Sequence, residues 1–141
     1  MRDRSGTSGG TSGSVTAAET QSRLAGLHVL AVEDESLVAM WLEDLLADLG
    51  CLVVGPANTI NAALTLLDQQ PVDAAVLDIN IAGEKVFPVA DRLTALNVPF
   101  VFATGYGVSG VQEPHAHRPV IQKPYTTGTL QRALESVVVD S

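Results

Sequence analysis

Five polar residues stand where short apolar runs end, and their types are those of phosphoryl chemistry. Glu33 and Asp34 follow HVLAV, Asp78 follows AAVL, Thr104 follows FVFA, and Lys123 follows VIQ. Each one alone reads as a solvated turn or a helix cap. Three carboxylates brought to one place would repel one another and raise each other's pKa. A hard divalent cation relieves that repulsion, and Mg2+ (or Mn2+) suits a site of few carboxylates completed by water and phosphate oxygens. A carboxylate beside such an ion is a nucleophile toward phosphorus, giving an acyl phosphate. The oxygens of the transferring group then need positive charge and donors, which Lys123 and Thr104 can supply. The spacing alone does not decide, but the set of types points to an aspartyl phosphorylation site.

These residues would meet if the runs before them are parallel strands, because reactive groups of open α/β sheets gather at the carboxyl ends. The pattern supports this. His28 to Val32 is a short apolar run, as in a strand buried on both faces. Ser36 to Leu49 carries Val38, Trp41, Leu42, Leu45 and Leu49 on one helical face, with Trp41 read as core, and Gly50 sits at the helix stop. Cys51 to Val54 reads as a second strand. Asn58 is the expected N-cap of a helix running to Gln69. Asp73 to Leu77 reads as a third strand. A third helix should start near Pro88, after a loop or frayed start from Gly83 to Phe87, and bury Val89, Leu93 and Leu96. Val98 to Ala103, Val120 to Gln122 and a last helix from Thr127 to Val139 complete five strand–helix alternations, the mark of an α/β fold with a parallel sheet. The stretch from 105 to 119 has three glycines and two prolines, so the helix between strands 4 and 5 is expected to be short or irregular.

Composition narrows the function. The 141 residues are 46% hydrophobic and 17% charged, a globular balance. Acidic residues outnumber basic ones 16 to 8, for a net charge of −8, which argues against nucleic acid as a partner. No apolar run approaches the ~18 residues of a membrane span. Cys51 is the single cysteine, which excludes an internal disulfide and fits a cytoplasmic, reducing setting. Residues 1–23, rich in Gly, Ser and Thr, read as a flexible leader, leaving 24–141 as the folded domain.

HVLAVEDE, AAVLDIN, FVFATG and VIQKPY stand in the order and at the spacing of the receiver domain of bacterial response regulators, which the chain resembles across residues 27 to 139. More narrowly, PFVFATGYG and DINIAGEKV resemble the FAT GUY receivers, single-domain response regulators of the alphaproteobacterial general stress response. The resemblance implies a flavodoxin-like three-layer sandwich with a five-stranded parallel sheet in the order 2-1-3-4-5. It implies Asp78 as phosphoacceptor, Asp34 as direct Mg2+ ligand, Glu33 as a ligand through water, and the backbone carbonyl of Asn80 as the remaining protein ligand. Thr104 matches the hydroxyl that meets the phosphoryl group, and Lys123 its lysine partner, with Lys123–Pro124 commonly cis. The implied partners are a sensor histidine kinase or histidine phosphotransfer protein and an unidentified downstream protein.

Two positions depart from the receiver pattern. Ala82 replaces the proline usual four residues after the phosphoacceptor, and Val120 stands where many receivers carry an aromatic switch residue. Tyr106, two residues beyond Thr104, is the candidate replacement switch, with simple loop cover as the equal alternative. Other features carry less. Gly105, Gly107 and Gly110 spell G-x-G-x-x-G, but after the fourth strand and without a following helix, which is the wrong place for a dinucleotide. His115 and His117 have no third ligand nearby and read as exposed loop residues. Cys51 reads as a small buried hydrophobe.

The leading function is a single-domain signalling receiver, since only Asp140 and Ser141 follow the last helix, and not an enzyme beyond its own phosphotransfer and dephosphorylation. Its output would be protein contact or drainage of phosphoryl groups. An aspartyl-phosphate phosphatase would want a second acid where Asn80 stands. A degenerate receiver used only for binding would have no chemical need for Asp34, Asp78, Thr104 and Lys123 together.

Overall fold

The structure is a computed structural model, and it describes residues 23–105, 115 and 117–138. The leader assigned to residues 1–23 lies outside it except for Arg23, while Leu24 is already buried in the core. Strand β1 (His28–Val32) is followed by helix α1 (Ser36–Asp48), β2 (Leu52–Ala57), α2 (Ile60–Gln69) and β3 (Ala74–Asp78). Two short strands, β4 (Asn80–Ile81) and β5 (Glu84–Lys85), precede α3 (Phe87–Ala95), β6 (Phe100–Thr104), β7 (Val120–Gln122) and α4 (Thr127–Val138). Five strands form one parallel sheet in the order β2-β1-β3-β6-β7. Counting only the strands of this sheet, that is the expected order 2-1-3-4-5.

Alternation along the strands divides the core into two layers. Val29, Ala31, Ala74, Val76, Val101 and Ala103 face the side covered by α1 and α4. Leu30, Val32, Ala75, Leu77, Phe100 and Phe102 face α2 and α3. Both faces are covered, so the central strands are apolar without interruption, as the sequence pattern requires.

The helix stops are built from local chemistry. Gly50 takes φ +86 after α1, and the N–H groups of Gly50 and Cys51 close on the carbonyls of Ala47 and Leu46. Asn97, at φ +59, plays the same part after α3. Pro88 sits in the first turn of α3, as expected.

Four expectations need correction. The cap of α2 is Thr59, whose hydroxyl accepts the Ala62 N–H at 3.0 Å; Asn58 stands one residue too early. Trp41 is 37% exposed, because it lies at the margin of the buried stripe of α1. Leu96 follows the last turn of α3 and is half exposed. The segment ahead of α3 is a hairpin, with Asn80 paired to Lys85 and Ile81 to Glu84. Residues 106–114 and 116 lie outside the described residues, and with them Tyr106 and the expected short helix. The outer strand β2 runs LVVGPA, with Gly55 at φ +95 and Pro56 beside it, and the opposite margin is the three-residue β7. Gly55–Pro56 and Lys123–Pro124 are cis.

Candidate functional site

Because all five strands of the sheet run the same way, their carboxyl ends reach one edge, and the polar residues that follow them converge there. A cleft of about 450 Å³ opens at this edge, lined by Asp34, Glu35, Asp78, Asn80, Gly105 and Lys123. Carboxylate oxygens of Glu33, Asp34 and Asp78 all lie within 4.8 Å of one another. Lys123 Nζ reaches into the group, 2.9 Å from Glu33 Oε1, 3.0 Å from Asp78 Oδ2 and 3.7 Å from Glu35 Oε1. The backbone N–H of Lys123 donates to the Thr104 carbonyl at 2.9 Å, which ties the ends of β6 and β7 together. Thr104 itself is buried.

Burial sets the electrostatics. Glu33 is 2% exposed. Desolvation raises its pKa, against the lowering by the Lys123 hydrogen bond and the Glu35 N–H, and the charge on Asp78 raises it further. Burial alone would lower the pKa of Lys123, but its hydrogen bonds to Glu33 and Asp78 more than offset this and hold it above the ordinary lysine range. One ammonium therefore faces three carboxylates, which leaves excess negative charge. Oxygen donors at this spacing fit a hard divalent cation, as the chemistry of Mg2+ requires.

The hairpin completes one wall. Lys85 Nζ donates to Asn80 Oδ1 at 2.8 Å across the strand pair. Between the strands, Ala82 and Gly83 take φ +52 and φ +82, the pair of positive angles that a two-residue turn of this kind demands. The Ala82 N–H then donates to Asp34 Oδ2 at 2.8 Å. A proline could do neither, since its φ is fixed near −65° and it has no N–H. This is the physical content of the departure at position 82.

Glu35 and the hairpin are not announced by the sequence. The exposed Glu35 had no signal beyond its place in the run EDE. His115 departs from the expectation: it is 3% exposed, packed against Phe87, Phe100 and Phe102, and its Nε2 lies 2.8 Å from Asp91 Oδ1. It is core, not an exposed loop residue. Tyr106 cannot be placed in the site, as it lies outside the described residues.

Comparison with known proteins agrees with this architecture. The family model of the response regulator receiver domain matches residues 29–135. The phyllosphere-induced regulator PhyR of Methylorubrum extorquens is 36% identical over 82 residues, covering 56% of this chain and 31% of that protein. The chain thus spans about a third of that relative's length. SdrG from Sphingomonas melonis Fr1 is 44% identical, with a TM-score of 0.69 over 79% of this chain and 93% of SdrG. The receiver domain of the Pseudomonas aeruginosa sensor histidine kinase PA1611, solved with a magnesium ion in its active-site cleft, shares the fold at 24% identity and a TM-score of 0.71, over 82% of this chain and 99% of that one.

Proposed function

The chain belongs to the response regulator receiver domain family, and on that footing we propose that it accepts a phosphoryl group from a sensor histidine kinase or histidine phosphotransfer protein onto Asp78. The observation that carries this reading is the Asp78 carboxylate at the end of β3, 3.0 Å from Lys123 Nζ and clustered with two further acids at the sheet edge. An Asp78 oxygen attacks phosphorus as the P–N bond of the phosphohistidine breaks, and that bond's electron pair returns to the imidazole. The product is an acyl phosphate. Lys123 supplies fixed positive charge beside the transferring group, and Thr104 supplies a hydroxyl from the neighbouring strand end. Mg2+, held by Asp34, Asp78, the Asn80 carbonyl and, through water, Glu33, would neutralise charge on the phosphoryl oxygens when bound. Attack by water later returns Asp78 and inorganic phosphate.

Output is by contact with a downstream protein, or by draining phosphoryl groups from a kinase network. The likeness to SdrG and PhyR, with the PFVFATGYG run, supports a place in the general stress response. Among the described residues no helix is long and apolar enough to cross a membrane, and this reading places the protein in the cytoplasm. The test is intact mass after incubation with Mg2+ and a small phosphoryl donor such as acetyl phosphate. One added phosphoryl group is expected, and none in Asp78→Asn. An adduct that survives in Asp78→Asn would move the acceptor elsewhere. No adduct from either a small donor or a panel of phosphorylated histidine kinases would leave only a binding module.

A further inference from the structure

We infer that the Ala82 backbone N–H is a positioning group for the Asp34 carboxylate, and that the β4–β5 hairpin is built to deliver it. The inference rests on the reading of Asp34 as a ligand to Mg2+. Three observations carry it. First, Asp34 follows β1, is exposed, and sits 48 residues away in sequence from the donor that fixes it, so the contact at 2.8 Å is tertiary and not a local turn. Second, the residue that donates this contact has an unfavourable backbone, with φ +52. Ala82 is one of two described non-glycine residues with positive φ, and the other, Asn97, is a helix stop of a type that tolerates it. Third, the hairpin that imposes this φ is independently anchored. Ile81 is fully buried, the Val86 N–H donates to the Ile79 carbonyl at 2.8 Å, and Lys85 clasps Asn80.

A carboxylate at an exposed strand end samples several rotamers, and binding a cation through it requires choosing one. A fixed N–H on one oxygen makes that choice before the ion arrives, and hydrogen bonds behind a ligating carboxylate typically change metal affinity by about 10–100-fold. The same hairpin carries the Asn80 carbonyl at its first paired position. Two of the groups assigned to the cation are therefore set by one six-residue unit, residues 80–85.

The test separates the N–H from the fold. Replacing the Ile81–Ala82 amide by an ester, with L-lactate in place of alanine, deletes the one proton and keeps the side chain. Ala82→Gly keeps the N–H and suits the positive φ. Calorimetric titration with Mg2+ alone should show affinity about tenfold weaker in the ester protein and within about twofold of the parent in Ala82→Gly. Circular dichroism of each protein verifies the fold. A folded ester protein that binds Mg2+ within twofold of the parent overturns the inference while leaving the cation site intact. Loss of affinity in Ala82→Gly equal to that of the ester overturns it as well, because the N–H is then not the determinant. A parent protein that takes up no Mg2+ overturns the cation site itself.

Discussion

The indole of Trp41 lies flat on the phenol of Tyr125, with ring centroids 5.4 Å apart and planes 9° from parallel. The pair joins α1 to the segment that leaves the site lysine, since Tyr125 follows Lys123 by two residues. Tyr125 is buried and its hydroxyl has no hydrogen-bond partner among the described residues.

An unpaired buried hydroxyl costs about 1–3 kcal/mol, whereas an aromatic ring removed from a core costs about 3–5 kcal/mol. Tyr125→Phe should therefore raise stability by about 1 kcal/mol in urea titrations. Tyr125→Ala should lose about 3 kcal/mol, with a red shift in the emission of Trp41, the sequence's single tryptophan. Destabilisation by the phenylalanine variant would mean that the hydroxyl has a partner.

A ligand that binds only the folded state stabilises it by about 2.7 kcal/mol at 100 times its dissociation constant. For a domain of this size that is roughly 10 °C of melting temperature. Mg2+ at that excess should produce such a rise in the parent and almost none in Asp34→Asn. An equal rise in the variant would remove Asp34 from the cation site.

His115 is buried among three phenylalanine rings, with Arg118 over one of them, its guanidinium carbon 4.3 Å from the Phe100 centroid. His115→Ala should cost about 2–4 kcal/mol through the cavity and the lost contact to Asp91. Asp91 is two-thirds exposed, so Asp91→Asn, whose amide can still meet the ring, should cost less than about 1 kcal/mol. Urea midpoints of the two variants give the comparison.

Burial pushes the Cys51 thiol up from 9.0 to about 11. The folded state holds this proton more tightly than the unfolded chain. The resulting stability is complete below about pH 9 and is lost as pH rises toward 11. At pH 8 iodoacetamide should leave the native protein unmodified while alkylating the urea-unfolded chain fully, as read by intact mass. Rapid native alkylation would show the thiol to be accessible.

What the sequence made legible follows a physical line. Strand runs such as FVFAT are buried on both faces, so their composition alone marks them, and the polar residue ending each run marks the reactive edge. The convergence of Glu33, Asp34, Asp78 and Lys123 follows from parallel topology. What escaped depends on tertiary contacts or on one-residue choices. Nothing in a Gly- and Pro-rich stretch announces that His115 will fill a pocket of phenylalanines. The hairpin turn is Ala-Gly, not the Asn-Gly or Asp-Gly that would have declared it. Thr59 and Asn58 are both good caps, and the choice falls to where α2 docks.

The margins of the sheet have a meaning apart from phosphoryl chemistry. An outer strand with unpaired donors and acceptors is a template onto which another chain can crystallise its own backbone. In β2 that template is broken after three residues, because Gly55 turns the strand aside and Pro56 has no proton to offer. On the far side, β7 ends after three residues. Both borders of the sheet thus offer little backbone for a further strand to pair with, which guards against edge-to-edge growth.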